Sequence, residues 1–242
     1  MKLRLDKLLV LQKFAPTRQN AQNMIDAGKV HVNGMPAIKA GSLFEKDCTI
    51  EIHGNEPPYV SRGGYKLAHG LDSFGIDPAG FICADIGAST GGFTDCLLQR
   101  GAKKVFAVDV GYGQLAWKLR QDSRVVVMER KNARLFKEGD IIKELDLIVI
   151  DASFISLKLL IPPLLVFFRD KISIIALIKP QFEVGKGKVG KGGVVKDPLS
   201  HQSVIDDIVQ FVETLGLNNM GVVESPILGP KGNKEFLIYL TS

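Results

Sequence analysis

From residue 81 onward seven apolar runs alternate with helix-like segments, and few folds accept that order. The runs fall at 81–86, 104–109, 124–129, 145–151, 172–179, 220–225 and 235–241. Strands separated by helical stretches specify a doubly wound, mostly parallel sheet. The last two runs are joined by Pro226-Ile-Leu-Gly-Pro-Lys-Gly-Asn-Lys234, with no helix between them. They are expected to pair antiparallel, because a parallel crossover needs a longer connection. The expected class is therefore α/β, a Rossmann-like sheet of seven strands with one antiparallel strand.

The first 53 residues follow a different pattern. Residues 3–13 and 17–27 show helical periodicity through Leu5, Leu8, Leu9 and Ala21, Met24, Ile25, with Thr17 as N-cap and Gly28 as stop. Lys29 to Ile38 reads as a hairpin around Asn33-Gly34, a pair that tolerates positive φ at both turn positions. Cys48 to Ile52 adds a strand, and 54–58 reads as a linker. The expected division is a small α+β domain at 1–53, the linker at 54–58 and a larger domain at 59–242. Residues 1–40 hold seven Lys/Arg against two Asp, which accounts for the whole net charge of +5. A basic appendage on a neutral body suits nucleic-acid binding; a solvated basic helix face is the plainer alternative. Arg4-Leu-Asp-Lys-Leu-Leu9, then Thr17-Arg18 leading to Ala21 and Ile25, then Gly28-Lys-Val-His-Val-Asn-Gly34 resemble the S-four-type RNA-binding module. That resemblance, with the charge, makes Arg4, Lys7, Arg18 and Lys29 the candidate RNA contacts.

Phe81 to Thr94 is a strand entering a glycine-rich turn and a helix, with Asp85, Gly87, Ser89, Thr90, Gly91, Gly92 and Phe93 as candidate cofactor contacts. Asp109 ends the next apolar run, where a carboxylate suits ribose hydroxyls. A dinucleotide turn would carry glycine where Ser89 stands, and Asp85 would repel a phosphate. Asp85 instead suits a ligand with a cationic amino group. S-adenosyl-L-methionine has that group, a ribose, an adenine and no phosphate. Asn132, beyond the third run, is a candidate for the adenine, although a polar loop residue needs no function.

Lys66, Asp151, Lys179 and Glu235 each adjoin an apolar run or a Gly-rich turn. Strand ends in an open α/β sheet converge on one crevice. Two lysines and two carboxylates there would set one another's protonation state, which is a way to make a base from a normally cationic side chain.

Tyr59-Val-Ser-Arg-Gly-Gly-Tyr-Lys-Leu67, Asp85 to Asp95, Asp151-Ala-Ser-Phe-Ile-Ser156, Ile178-Lys-Pro-Gln-Phe-Glu183, Gly192 to Pro198 and Gly232-Asn-Lys-Glu-Phe236 resemble the TlyA family. These are FtsJ-like ribosomal RNA ribose methyltransferases with an N-terminal S-four-type domain, often labelled haemolysins. The resemblance implies 2′-O-methylation of a ribose, of a cytidine, in ribosomal RNA or ribosomal subunits, with S-adenosyl-L-methionine as donor. It also implies a Lys–Asp–Lys–Glu tetrad at Lys66, Asp151, Lys179 and Glu235. Lys179 is the expected base, Lys66 steers the hydroxyl, and the carboxylates orient the lysines. The loop 185–193 is basic and Gly-rich, so Lys186 and Lys188 are candidates for the RNA backbone, a plain linker being the alternative.

Other classes find less support. Cys48, Cys83 and Cys96 lack disulfide or zinc spacing, the four histidines show no ligand spacing, and no metal is expected. The longest apolar stretch, 159–168, contains two prolines and is too short to span a bilayer; a cytoplasmic setting is expected. Base-amino methyltransferases carry Asp/Asn-Pro-Pro-aromatic at the strand end, where this chain has Asp151-Ala-Ser-Phe154. An RNA-binding protein without methyl transfer and a membrane-active haemolysin remain as rival readings. The sequence leaves oligomeric state open.

Overall fold

The structure, a computed structural model, describes residues 2–37, 39–53, 58–185, 189–190 and 192–242. Lys186, Lys188 and most of the expected linker (54–57) lie outside the described residues. The chain forms two compact units, Met1–Pro58 and Tyr59–Ser242.

In the first unit β1 (Lys2–Arg4) leads into α1 (Leu5–Leu11) and α2 (Arg18–Asp26), followed by β2 (Val30–Val32), β3 (Met35–Pro36), β4 (Leu43–Glu45) and β5 (Ile50–Ile52). Thr17 caps α2, its side chain accepting from the Asn20 N–H. Asn33 (φ 51°) and Gly34 (φ 78°) make the expected turn between β2 and β3. The start differs from the expected helix over 3–13: residues 2–4 pair antiparallel with β4, which the helical periodicity of Leu5, Leu8 and Leu9 does not foretell. Those three leucines, with Ala21, Ile25, Val30 and Val32, form the core of this unit.

The second unit runs α3 (Gly63–Phe74), β6 (Ile82–Ile86), α4 (Gly92–Gln99), β7 (Lys104–Asp109), α5 (Trp117–Arg120), β8 (Val125–Glu129), β9 (Leu147–Ile150), α6 (Leu157–Leu164), β10 (Ser173–Ile178), α7 (Pro180–Glu183), α8 (Pro198–Thr214), β11 (Asn218–Glu224) and β12 (Phe236–Thr241). Its sheet has seven strands in the order β11-β12-β10-β9-β6-β7-β8. Only β12 is reversed, running antiparallel to both β10 and β11. A seven-stranded, Rossmann-like sheet with one antiparallel strand is as expected. Strands such as Leu-Ile-Val-Ile in β9 are continuously apolar because both faces are covered. Leu67, Leu71, Leu97 and Leu98 from α3 and α4 pack on one face. Leu160, Ile161, Leu164, Val204, Ile208 and Val212 from α6 and α8 pack on the other. Asp197 caps α8 by accepting from the Leu199 and Ser200 N–H groups, with Pro198 in the first helical position. No helix among the described residues is long and apolar enough to cross a membrane.

Candidate active site

The order of strands reverses between β6 and β9, and a crevice opens beyond their carboxyl ends. The Gly87 N–H donates to the Val108 carbonyl and the Asp151 N–H to that of Ile86, so both segments leave the sheet side by side. A Cβ on Gly87, at φ +87°, would lie 2.7 Å from the Asp151 carbonyl oxygen. That close approach requires glycine.

A cleft of about 420 Å³ lies here, walled by Lys66, Asp85, Gly87, Ser89, Thr90, Gly92, Phe93, Asp151 and Lys179 among others. Three residues of the expected tetrad therefore line one cavity, and the fourth pairs with one of them. Lys66, in the first turn of α3, donates to Glu235 Oε2 at 2.6 Å; both side chains are buried. Lys179 Nζ lies 2.6 Å from Asp151 Oδ1 and donates to Ser153 Oγ at 3.0 Å. Glu235 reaches this edge because β12 is reversed. Ile178 and Phe236 are partners in register, so Lys179 leaves β10 where Glu235 enters β12. The other oxygen of Glu235 is buried without a hydrogen-bond partner among the described residues, and Gly229 packs so closely over this carboxylate that a Cβ there would collide with it.

Asp85 is fully buried. Its Oδ2 accepts from the Thr94 N–H at 2.9 Å and hydroxyl at 2.7 Å, while Oδ1 is buried without a partner among the described residues. Burial pushes its carboxyl up to about 7, the Thr94 hydroxyl pulling against that shift and Asp151 adding to it. Nearby, α4 starts after the N-cap Gly91 (φ 96°), which supplies no side-chain cap, and Asp85 takes the Thr94 N–H of its first turn. An orphan carboxylate oxygen in the cleft wall and the N-terminal end of α4 fit the two ends of an amino acid, ammonium and carboxylate, such as S-adenosyl-L-methionine carries.

The remaining candidates sit differently. Gly91 packs against Leu115 and Leu119 behind the turn. Asp109 does not line the cleft; its two oxygens accept from the Ser89 and Gly111 N–H groups, holding the turn in shape. Asn132 accepts from the Arg134 N–H and caps a short helical turn outside the cleft. In the first unit Arg4, Lys7 and Arg18 are exposed and Lys29 half-buried. Arg4 and Arg18 both donate to the buried Asp6 carboxylate, which they hold well below the usual carboxylate range. Cys83 and Cys96 are core residues, burial pushing the Cys96 thiol up to about 11.

Sequence reasoning missed Ser61 to Gly63, Ala88, Ser153 and Leu228 to Pro230, which complete the wall. Ser153 lies inside a motif already singled out and was legible in principle. The stretch 228–230 carries no polar signal, and reaches the cleft only through the hairpin between β11 and β12.

An FtsJ-like methyltransferase family model matches residues 59–242, and an S4 domain model matches residues 3–43. The chain is 47% identical over 238 residues to the 16S/23S rRNA (cytidine-2′-O)-methyltransferase TlyA of Mycobacterium tuberculosis, covering 98% of this chain and 89% of that protein. A solved structure from Streptococcus thermophilus, carrying a hemolysin label, superposes with a TM-score of 0.78 at 41% identity and covers 100% of this chain and 88% of its own. An S-adenosylmethionine-dependent methyltransferase from Mesorhizobium loti shares the fold alone, with a TM-score of 0.53 at 11% identity over 72% of this chain and 95% of its own.

Proposed function

The chain belongs to the FtsJ-like methyltransferase family, and we propose that it methylates a ribose 2′-hydroxyl, that of a cytidine, in ribosomal RNA. The observation that carries this reading is the pair of lysine–carboxylate contacts, Lys66–Glu235 and Lys179–Asp151, beside a cleft wall that suits an amino-acid-like donor. The Mycobacterium relative is named for the same reaction on 16S and 23S rRNA.

S-adenosyl-L-methionine supplies an electrophilic methyl group on a sulfonium. The residues to hold it are Asp85 for its ammonium, the turn Gly87 to Gly92 with the start of α4 for its carboxylate, and Phe93 as apolar wall. Asp109 and Asn132 act indirectly, by shaping the turns around the donor. A ribose hydroxyl is a poor nucleophile until its proton is taken, and Lys179 Nζ is the acceptor in the cleft wall. Asp151 balances the ammonium that results. Lys66, held by Glu235, directs the hydroxyl oxygen. Alignment of this kind lowers a barrier by several kcal/mol without further chemistry. In the first unit Arg4, Lys7, Arg18 and Lys29 hold the RNA backbone, the two arginines fixed in direction by Asp6. Lys186 and Lys188 act on the same backbone.

Label transfer from methyl-labelled S-adenosylmethionine to unmodified ribosomal subunits tests the reading. The label should appear in alkali-resistant dinucleotides, since 2′-O-methylation removes the hydroxyl that attacks the phosphate. Label on a base, or no label on any subunit or free RNA despite cofactor binding, would overturn it.

Asp85 makes donor binding pH-dependent. Its carboxyl holds a proton up to about 7 in the fold, against about 4 in an unfolded chain. The fold therefore loses stability as pH rises from about 4 through that value, with no further loss above it. The ammonium of the donor needs the ionised form, so affinity runs the other way. Calorimetric Kd values should tighten by about tenfold between about pH 6 and about pH 7.5, as the binding-competent fraction grows. Asp85→Asn should bind weakly at both. An affinity that ignores pH in the wild type would remove Asp85 as the ammonium partner.

A further inference from the structure

We propose that Ser153 is a positioning residue that fixes the direction in which Lys179 accepts the ribose proton. The inference rests on the proposed role of Lys179 as base and adds to it a residue and a stereochemical reason.

A lysine nitrogen is tetrahedral. One vertex is bonded to Cε; in the neutral amine the other three hold two hydrogens and one lone pair. Two acceptors meet Lys179 Nζ here, Asp151 Oδ1 at 2.6 Å and Ser153 Oγ at 3.0 Å. When both take a hydrogen, the lone pair is confined to the remaining vertex. With Asp151 alone, the second hydrogen and the lone pair could exchange between the two remaining vertices. The proton step then balances. The ribose O–H bond breaks and its electron pair stays on oxygen. The proton forms the third N–H bond of Lys179, and the ammonium charge faces Asp151.

Ser153 is held for this task by contacts that join its loop to the segment after Lys179. Glu183 accepts from the Ser156 hydroxyl at 2.6 Å and the Leu157 N–H at 2.9 Å. The rings of Phe154 and Phe182 lie 5.0 Å apart. Phe154 adopts φ 64°, a left-handed conformation uncommon for a bulky residue, directly after Ser153. Residues 153, 154 and 156 thus meet residues 179, 182 and 183 in parallel order. Ser153 itself is exposed, so removing its hydroxyl leaves no hole in the core.

The experiment compares wild type, Ser153→Ala, Ser153→Thr and Lys179→Ala in methyl transfer to unmodified ribosomal RNA, with unfolding midpoints measured for each. Ser153→Ala should keep the wild-type midpoint and the KM values for RNA and S-adenosylmethionine, and lose about 10- to 100-fold in kcat, the scale on which misalignment acts. Ser153→Thr, which keeps the hydroxyl, should recover most of that loss. Wild-type kcat in Ser153→Ala would overturn the proposal. A threonine variant as slow as alanine, or a loss confined to KM, would do the same. No transfer by wild type, or full transfer by Lys179→Ala, would instead sink the reading on which the proposal rests, and Ser153 with it.

Discussion

Lys179→Ala should abolish methyl transfer while leaving S-adenosylmethionine binding close to wild type. A positioned general base contributes about 10²- to 10⁴-fold to a proton transfer, and among the described residues the other lysine of the cleft, Lys66, is tied to buried Glu235. The alanine variant does not discriminate a base from a fixed positive charge, so Lys179→Arg is the sharper probe. A guanidinium keeps the charge but does not give up its proton in proteins. An inactive arginine variant supports proton acceptance. Substantial activity in Lys179→Arg would mean that charge alone is needed at this position.

Lys66→Met should lower both stability and activity. Its ammonium is the counter-charge of Glu235, a residue 1% exposed whose second oxygen already lacks a partner among the described residues. Removing one member of a buried pair strands the other, at a cost of about 3–5 kcal/mol. For a unit of this size that is a fall in unfolding midpoint of the order of 10 °C. Replacing both residues, as Lys66→Met with Glu235→Leu, should restore much of the stability, because an apolar pair needs no solvation. Methyl transfer should stay lost in the double variant, since nothing remains to direct the hydroxyl. Recovery of activity with stability would show that the pair serves the fold alone. A cost below about 1 kcal/mol for Lys66→Met would mean the pair behaves as an exposed one.

The two lysine predictions differ in kind because the two pairs differ in surroundings. Lys66 and Glu235 are almost sealed in, so their contact bears on folding. The Lys179–Asp151 pair is open on the Asp151 side, whose side chain is 21% exposed, and it shares the lysine with a hydroxyl. Both lysines line the cleft, and the pairs differ in the carboxylate, which is sealed at Glu235 and partly open at Asp151.

Much of this was legible in the chain. The apolar runs gave strands at nearly the observed places because short continuous runs of Ile, Val and Leu between helical segments suit a strand covered on both faces. Asn33-Gly34, Thr17 and Asp197-Pro198 act within a few residues of themselves, so their turns and caps followed from local chemistry. Where a strand is made by pairing at a distance, local reading failed: nothing in Lys2–Arg4 announces its pairing with Leu43–Glu45. The partners of Asp109 are set in the same way. A carboxylate at a strand end suits a ribose, and each oxygen here also accepts one N–H, from Ser89 and from Gly111, which only the closed turn brings within reach.

By itself the sequence determined the alternation that makes the sheet, the glycine turn after β6, the basic helical appendage and the four polar residues at strand and helix ends. Tertiary structure alone decided which lysine meets which carboxylate. Lys66 and Glu235 stand 169 residues apart and touch at 2.6 Å, because the reversed β12 lies beside β10 and delivers its first residues to the edge where the parallel strands end. Tertiary structure also decided that Asp85 is sealed with one oxygen unmatched, and that Ser153 turns back onto Lys179. Register, burial and strand direction are properties of the assembled sheet, and they set the distances and the desolvation on which proton transfer depends.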